Sequence, residues 1–162
     1  MRMNRFCFLW IIGMLMGAIG MVSCSDDDDE IEYVYESSPT TLDGSWHLIS
    51  ASYGIQGVQD YKAGEITLTF DDANKTLKVE NRKKISFLYS GTYRYRTTTE
   101  KKRVHTYDEE EVEYSVIFIE VPGENEVKYT YDFRYGMLVL DGGLASDGPG
   151  YYLKKILHEG ID

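Results

Sequence analysis

From Leu42 onward, segment after segment of the chain alternates between apolar and polar residues with a period of two. No stretch shows convincing helical spacing. In the clearest segment, Ile66, Leu68 and Phe70 alternate with threonines and acidic residues. Successive side chains of a β-strand point to opposite faces, so this period predicts strands with one buried face. The sequence therefore predicts an all-β domain.

Eight such segments follow one another, about a dozen residues apart and separated by turn residues. They are predicted at 45–53, 65–71, 76–80, 85–97, 113–121, 126–134, 137–140 and 151–157. This series favours an antiparallel up-and-down β-barrel over a sandwich, because closure removes exposed sheet edges. An eight-stranded barrel either fills with side chains or holds one small ligand.

Three details of these strands carry further expectations. Strict alternation places Trp46 and Ser50 on one face of the first strand and Ala51 on the other. Gly91 is expected at a bend or bulge in the middle of the fourth strand. The fifth strand is apolar on both faces, so its outer face is expected to be covered. The connection over residues 54–63 is expected to cover one mouth of the barrel.

The N-terminus carries the features of a secretory signal peptide, assigned to residues 1–23. Arg2 and Arg5 precede an uncharged apolar run from Phe6 to Val22. A short basic region followed by an apolar region is typical of such signals. The run has 17 residues, which is at the short limit for a membrane-spanning helix, so its length alone does not separate an anchor from a signal.

The residues that end this run resemble the lipobox of bacterial lipoproteins, because Val22-Ser23 stands directly before Cys24. The resemblance implies that diacylglycerol is attached to Cys24, which becomes the first residue of the mature chain. The next residues resemble the export signal of Bacteroidetes-type surface lipoproteins: Ser25, Asp26, Asp27, Asp28 and Asp29. We therefore expect a lipid-anchored protein of the outer membrane, displayed at the cell surface or, alternatively, at the periplasmic face. Residues 24–40 are predicted to form a disordered acidic tether, followed by the barrel domain at 41–162.

Charge and cysteine content restrict the partners and the chemistry. Seven of the 27 acidic residues lie between Asp26 and Glu36, which leaves 15 basic and 20 acidic residues in 37–162. No basic stripe is present to neutralise phosphates, so nucleic acid is not expected as a partner. Cys7 lies in the signal and Cys24 carries the lipid, so no thiol remains for a disulfide, a metal site or a nucleophile. We expect no cofactor and no metal.

Three segments of the domain resemble the lipocalin-like domains of the calycin group. They are the G-x-W signature Gly44-Ser45-Trp46, the strand segment Ser90-Gly91-Thr92-Tyr93 and the closing segment 147–154. The resemblance implies a barrel closed by Gly44, Trp46 and a cation from the last strand. Lys154 is assigned to this place, with Lys155 also available. META-like bacterial domains share the opening pattern and remain a competing assignment.

Tyrosine is conspicuous, with 14 residues, all of them after Cys24. Tyr89, Tyr93, Tyr129 and Tyr131 are candidates for an aromatic pocket that offers ring faces and hydroxyls to a sugar, a sterol or an aromatic ligand. The alternative is that tyrosines simply fill and rim a small barrel, as their β-propensity favours.

Residues 101–111 are first basic and then acidic. His105 with Asp108 and Glu110 would suit a hard cation or acid–base chemistry. The favoured interpretation is a long hairpin in which opposite charges face each other. Since no second cluster of titratable residues supports catalysis, no enzyme activity is expected.

These features predict a non-catalytic binding module for a small apolar, aromatic or carbohydrate ligand at the barrel mouth. Such a ligand requires a cavity of about 300 Å³ or more. The alternative is a structural or interaction subunit with a solid core, which docks on another envelope protein through an exposed apolar patch.

Overall fold

The structure, a computed structural model, describes residues 33–157 apart from 84, 86–87, 104–110, 124 and 144–147. The described chain contains nine strands and one short 3-10 helix, at Gly54–Gln56. The strands are β1 (Gly44–Ser52), β2 (Val58–Asp60), β3 (Ile66–Asp71), β4 (Thr76–Asn81), β5 (Gly91–Arg103), β6 (Glu111–Glu120), β7 (Val127–Arg134), β8 (Met137–Asp141) and β9 (Gly150–Lys155). Within these described residues, no helix is long and apolar enough to cross a membrane.

Eight of the strands form a closed antiparallel barrel. Each strand from β3 to β8 pairs with the next one along the chain, and β1 pairs with both β3 and β9. The closing register joins Trp46 to Lys155 and Ser52 to Gly150. Closure gives each ring strand a partner on both sides, which is the reason to prefer a barrel for short antiparallel strands. The predicted all-β fold and the eight-stranded up-and-down barrel are confirmed.

The additional strand, β2, lies in the connection between β1 and β3. It pairs with the last residues of β1, from Ser50 opposite Asp60 to Ser52 opposite Val58. β3 pairs only with the first part of β1, up to His47. β2 therefore continues the edge of β1 beyond β3, and the whole connection lies at the end of the barrel where β1 finishes. We call this end the mouth.

The strict alternation predicted for β1 is wrong in its second half. The register between β1 and β9 shifts between Leu48 and Ser50, which is a β-bulge. The extra residue reverses the alternation, so Ala51 joins Trp46 and Leu48 in the core. Gly91 does not lie in the middle of a strand as predicted, because β5 begins at this residue.

The centre of the barrel is filled by apolar side chains. The largest fully buried ones come from six strands: Trp46, Leu48, Ile66, Leu68, Phe70, Leu77, Val79, Ile117, Ile119, Leu138, Leu140 and Leu153. β5 and β7 contribute tyrosines, of which Tyr93, Tyr95 and Tyr129 are buried. The described residues thus pack the barrel as a core and do not line a central chamber.

Trp46 closes the end of the barrel opposite the mouth. Its indole Nε1 donates a hydrogen bond of 2.7 Å to the carbonyl oxygen of Leu42. The ring centroids of Trp46 and Phe133 are 6.1 Å apart. The fully buried indole therefore has its one polar group satisfied, as a buried tryptophan requires.

Lys155, and not Lys154, supplies the cation at this closed end. The Nζ atom of Lys155 lies 5.8 Å from the centroid of the Trp46 ring. A Cβ atom on Gly44 would lie 3.1 Å from Cε of Lys155, so glycine at this position admits the lysine. Lys154 instead lies over the ring of Tyr35, at 5.4 Å.

Residues 33–37, which the sequence analysis assigns to the tether, contact the closed end, and we call them the strap. Tyr35 forms an isolated antiparallel bridge with Ile156. The backbone N–H of Glu36 donates to the carbonyl of Lys155 at 2.9 Å, and the N–H of Leu157 donates to Val34 at the same distance.

The strap buries the outer face of β1 at His47. The Tyr35 hydroxyl lies 3.1 Å from Nδ1 of His47. The Tyr33 ring meets the imidazole edge-on, with centroids 4.4 Å apart. Only 2% of His47 is exposed, although its side chain points away from the core.

The outer face of β6 is covered in part by cations. The guanidinium of Arg96 lies 3.7 Å from the centroid of the Phe118 ring, and Nζ of Lys128 lies 5.6 Å from it. Val116, on the same outer face, is fully buried. Both faces of this strand therefore carry buried apolar residues, as its sequence predicts.

Candidate functional site

Four tyrosines meet at the mouth. Tyr53 follows β1, Tyr61 follows β2, Tyr129 belongs to β7 and Tyr151 to β9. The hydroxyls of Tyr53 and Tyr61 are 3.2 Å apart. The ring of Tyr151 meets the rings of Tyr53 and Tyr129 edge-on, with centroid distances of 6.4 and 5.9 Å. We call these four residues the tyrosine cluster.

Burial raises the pKa of three of the four hydroxyls. It raises the pKa of Tyr129 to about 12, and it also raises the pKa of Tyr151. Burial together with the hydrogen bond to Tyr53 raises the pKa of Tyr61. Desolvation disfavours the phenolate in each case. At neutral pH these hydroxyls therefore donate and accept hydrogen bonds, and none is prepared to act as a base.

A cleft of about 430 Å³ opens beside the cluster, and Tyr53 belongs to both. The cleft is lined by Tyr53, Gln56, Gly57, Val58, Gln59 and Ile85. Its volume exceeds the lower limit of about 300 Å³ for a small-molecule site. The lining combines an aromatic ring and aliphatic side chains with two amides, which suits a ligand that has both apolar faces and polar substituents.

Asn81, the last residue of β4, brings a buried amide to the same end of the barrel. It is only 6% exposed. Its Nδ2 donates to the carbonyl oxygens of Leu88 at 2.7 Å and Ile85 at 3.2 Å. Its Oδ1 has no hydrogen-bond partner, the one such buried side-chain atom in the described part of the chain. An acceptor buried in this way costs about 1–3 kcal/mol.

A second cleft, of about 350 Å³, lies on the β6, β7 and β8 side of the barrel. Its lining carries charges of both signs: Val112, Glu113, Tyr114, Ser115, Thr130, Tyr131, Asp132, Arg134, Val139 and Asp141. Val139 is buried although it is outside the core cluster. This lining differs from the apolar patch that the alternative hypothesis expects, because acidic, basic and apolar side chains are mixed in it.

The structure does not bring the four tyrosines selected from the sequence into one pocket. Tyr129 belongs to the cluster. Tyr93 is buried and donates its hydroxyl to the carbonyl of Tyr89 at 2.6 Å, while the Tyr89 side chain is 69% exposed. Tyr131 packs edge-on against Phe133. Strand alternation shows which residues share a face of a strand. It does not show how far along the barrel axis each of them lies.

Four residues at the mouth are not among those predicted from the sequence: Tyr53, Tyr61, Tyr151 and Asn81. A signal for the first three was present in the predicted strand order. Tyr53 and Tyr61 flank the connection after the first strand, and Tyr151 opens the last one. In an up-and-down barrel, the end of the first strand and the start of the eighth lie at the same end.

Two further expectations concern metal binding and the charged segment at residues 101–111. The described residues contain no group of three or more His, Cys, Asp or Glu side chains that could hold a metal ion. Lys101 lies opposite Glu113, and Arg103 opposite Glu111, in the β5–β6 register. Within the described residues, the strands of the predicted hairpin are therefore paired, and their backbone register sets basic residues opposite acidic ones. Outside the described residues lie His105, Asp108, Glu110, Cys24 and the string from Ser25 to Asp29.

Comparisons with known proteins provide no relative from which a function could be transferred. No protein-family model matches this sequence. No curated protein and no solved structure matches it either. The case for a function therefore depends on the side chains at the mouth.

Proposed function

We propose that this protein is a non-catalytic binding module that takes a small aromatic or carbohydrate ligand at the mouth of its barrel. The observation that carries the proposal is the cleft of about 430 Å³ between Tyr53, Ile85 and the two glutamines. This cleft adjoins a cluster of uncharged tyrosines, so ring faces and hydrogen-bonding groups are available together.

The chemistry of the connection after β1 supports this class of ligand. Gln56 and Gln59 offer amide donors and acceptors, which can pair with the hydroxyls of a sugar or a phenol. Ile55 is 94% exposed and Val58 68%. Two large apolar side chains exposed on one short connection suit a surface that is covered when a ligand is bound.

The filled centre of the barrel supports a site at the mouth over a site in the interior. Leu48, Leu68 and Leu140 are fully buried in the middle of their strands. A ligand enclosed among them would have to displace packed side chains, which costs several kcal/mol for each residue. The cleft at the mouth requires no such displacement.

We further propose that the module is attached to the outer membrane through lipid on Cys24. The lipobox-like junction and the acidic string at residues 25–29 support this location. A single acyl chain binds a membrane only marginally, whereas two or more hold a protein stably. Surface display follows from the resemblance of the acidic string to an export signal, with the periplasmic face as the alternative.

The mouth is tested by substituting Gln56 and Gln59 together with alanine in the full-length chain. Binding of methyl glycosides and substituted phenols is measured by NMR titration. We expect affinity to fall by about tenfold or more, since each lost hydrogen bond is worth about 1 kcal/mol. Glu113→Gln, in the second cleft, is the control and leaves affinity unchanged. Equal affinity in the double variant and the parent would contradict the mouth as the site.

The second candidate function is an interaction subunit that uses the β6–β8 surface. The observation that favours it is the cleft of about 350 Å³, which is lined by Tyr114 and by Val112, a side chain that is 43% exposed. Native mass spectrometry of the protein purified from its own envelope separates the two functions. A retained small molecule supports the mouth site. A retained protein that is lost on Tyr114→Ala supports the subunit.

A further inference from the structure

We propose that the mouth site takes its aromatic ligand as a side chain of an extended polypeptide, whose backbone adds as a further strand to the free edge of β2. This inference rests on the proposed binding function. It names the class of molecule that carries the ring and the protein groups that recognise the backbone of that molecule.

The strand β2 has one edge without a partner strand. It pairs with β1 on one side, and no other strand of the described chain pairs with it. All three of its residues are exposed. The free edge of a strand presents N–H and C=O groups at the spacing of a neighbouring strand, so it is a template for one more strand.

Hydrogen bonds at both ends of β2 show which backbone groups face the free edge. The carbonyl of Gly57 accepts from the residue after β1 at 2.9 Å, and the N–H of Tyr61 donates to Ile49 at 2.8 Å. In an antiparallel pair, every second residue directs both its N–H and its C=O to the same neighbour. Val58 and Asp60 alternate with the residues that bond β1. Their two N–H and two C=O groups are therefore directed to the free edge.

The mouth cleft adjoins this edge. Gly57 and Gln59 line the cleft of about 430 Å³, and so does Ile85 from the connection after β4. A Cβ atom on Gly57 would meet nothing within 4 Å, so the approach to the edge is open here. Gln59 lies opposite Ala51, a core residue, so its side chain is on the inner face of β2. Side chains on the same face of an added strand therefore meet the cleft.

The two faces of β2 select different side chains of the added strand. On the inner face, the ring of Tyr53 and the side chain of Ile85 line a cleft that suits an aromatic ring. On the outer face, Asp60 is exposed and takes part in none of the ion pairs of the described residues. Opposite charges on neighbouring strands attract, so a basic residue fits beside Asp60. We therefore expect aromatic and basic residues to alternate in the peptide.

A polypeptide uses this surface more fully than a free phenol or sugar does. A free ring can occupy the cleft, but it leaves the backbone groups of Val58 and Asp60 to water. An extended chain pairs with these groups and places a ring in the cleft at the same time, and joining two contacts in one molecule raises its affinity. The length of β2, three residues or about 10 Å, limits the added strand to one short segment.

The test compares peptides that differ in one N–H group. The full-length chain is titrated by NMR with the capped peptide acetyl-Thr-Tyr-Lys-Tyr-Thr-amide. Two isomers carry a single N-methyl group, one on the lysine and the other on the tyrosine that follows it. Adjacent N–H groups of a strand point to opposite edges, so only one isomer loses a bond to β2. We expect that isomer to bind about tenfold more weakly and the other to bind like the parent peptide.

Hydrogen exchange gives a second readout on the same samples. The amides of Val58 and Asp60 should exchange more slowly when the parent peptide is bound, because the added strand accepts from both of them. p-Cresol is the matched small probe. It offers a ring without a backbone, so it should leave the exchange rates of these two amides unchanged.

A pair of proline variants tests the edge from the side of the protein. Val58→Pro removes an N–H that faces the free edge and no hydrogen bond to β1, and we expect peptide affinity to fall about tenfold or more. The control, Ala63→Pro, places proline in the same connection. Lys62 accepts from Glu65 across this turn at 3.1 Å, and Gly64 has a φ of 78°. Proline is favoured at the position before such a glycine, so peptide affinity should not change.

The possible results separate strand addition from binding at the mouth. If both N-methylated isomers bind like the parent peptide, the ring alone is recognised, and strand addition is overturned while the proposed function stands. The same conclusion follows if p-cresol or a methyl glycoside binds at millimolar concentration and the peptide does not. If none of these probes binds, both proposals fail. Equal peptide affinity in Val58→Pro and Ala63→Pro would also count against strand addition, and the comparison of isomers does not depend on how either variant folds.

Discussion

In the turn between β7 and β8, a single residue determines whether the strap can pack against the turn. Tyr135 and Gly136 both have positive φ, at 57° and 71°, as in the two-residue hairpin turns that match strand twist. A Cβ atom on Gly136 would lie 2.7 Å from the carbonyl oxygen of Ser37. Glycine is therefore required here twice, once for the backbone conformation and once for the approach of the strap.

Comparing two alanine substitutions separates these two requirements. Gly123 also has positive φ, at 83°, but a Cβ atom there would meet nothing within 4 Å. We expect Gly123→Ala to lower the free energy of unfolding by about 1–2 kcal/mol, the cost of the left-handed conformation alone. Gly136→Ala should cost more, because Ser37 must also move. Urea unfolding followed by Trp46 fluorescence measures both, and equal costs would show that the strap does not press on the turn.

For single residues, the sequence predicts burial correctly where strand alternation is the only factor that decides it. Leu68 and Phe70 are buried as alternation requires, because β3 is regular. Ala51 escapes the rule because the bulge before it leaves no mark in the pattern of apolar residues. Alternation along β4 places Asn81 on the inner face. The carbonyl groups that its side chain contacts, however, belong to the connection after β4. Alternation carries no information about such partners.

Among the elements, the strap is the one that amino-acid composition does not predict. Residues 24–40 are rich in acids, and this favours a disordered segment. Within them, however, Tyr33 and Tyr35 cover His47, and backbone hydrogen bonds join the strap to the chain after β9. Two aromatic side chains spaced by one residue were sufficient to dock a segment whose average composition predicts none of this contact.

The strap should weaken when one hydroxyl is removed. Tyr35→Phe keeps the ring near Lys154 but removes the hydroxyl that lies 3.1 Å from Nδ1 of His47. We expect a loss of about 1 kcal/mol in the free energy of unfolding. Faster amide hydrogen exchange is also expected at Glu36 and Leu157, whose N–H groups form the strap's backbone bonds.

The control for this substitution is Tyr135→Phe. The Tyr135 side chain is 91% exposed, so removal of its hydroxyl should change neither the stability nor the exchange rates. If Tyr35→Phe behaves like the control, the contact with His47 does not hold the strap.

For the whole molecule, the order of the strands follows from the sequence, but the state of the interior does not. Regularly spaced alternating segments predict an up-and-down barrel, because neighbours in sequence become neighbours in the sheet. Whether the barrel is hollow depends on side chains from all eight strands at once. Trp46 and Lys155 become neighbours only when the barrel closes, and no local pattern shows how much space remains between distant strands. The site is still proposed at the mouth, but the residues that line the cleft there differ from the four tyrosines selected from the sequence.

Because the tyrosine cluster joins strands from distant parts of the chain, its ionisation should control the alkaline stability of the whole barrel. The pKa of Tyr129 is raised from 10.0 to about 12 by burial. A raised pKa means that the unfolded chain releases its proton first, so the stabilisation is complete below pH 10 and is lost as the pH rises toward 12. Two pKa units correspond to about 3 kcal/mol. We expect the free energy of unfolding to fall over this range, and Tyr129→Phe to reduce the fall by about that amount. Urea unfolding at each pH, with tyrosinate absorbance recorded in parallel, measures both quantities.

Tyr135→Phe is the exposed control. Its free energy of unfolding should fall with pH as steeply as that of the parent. A Tyr129→Phe variant that does the same would show that ionisation of the cluster is not linked to unfolding of the barrel.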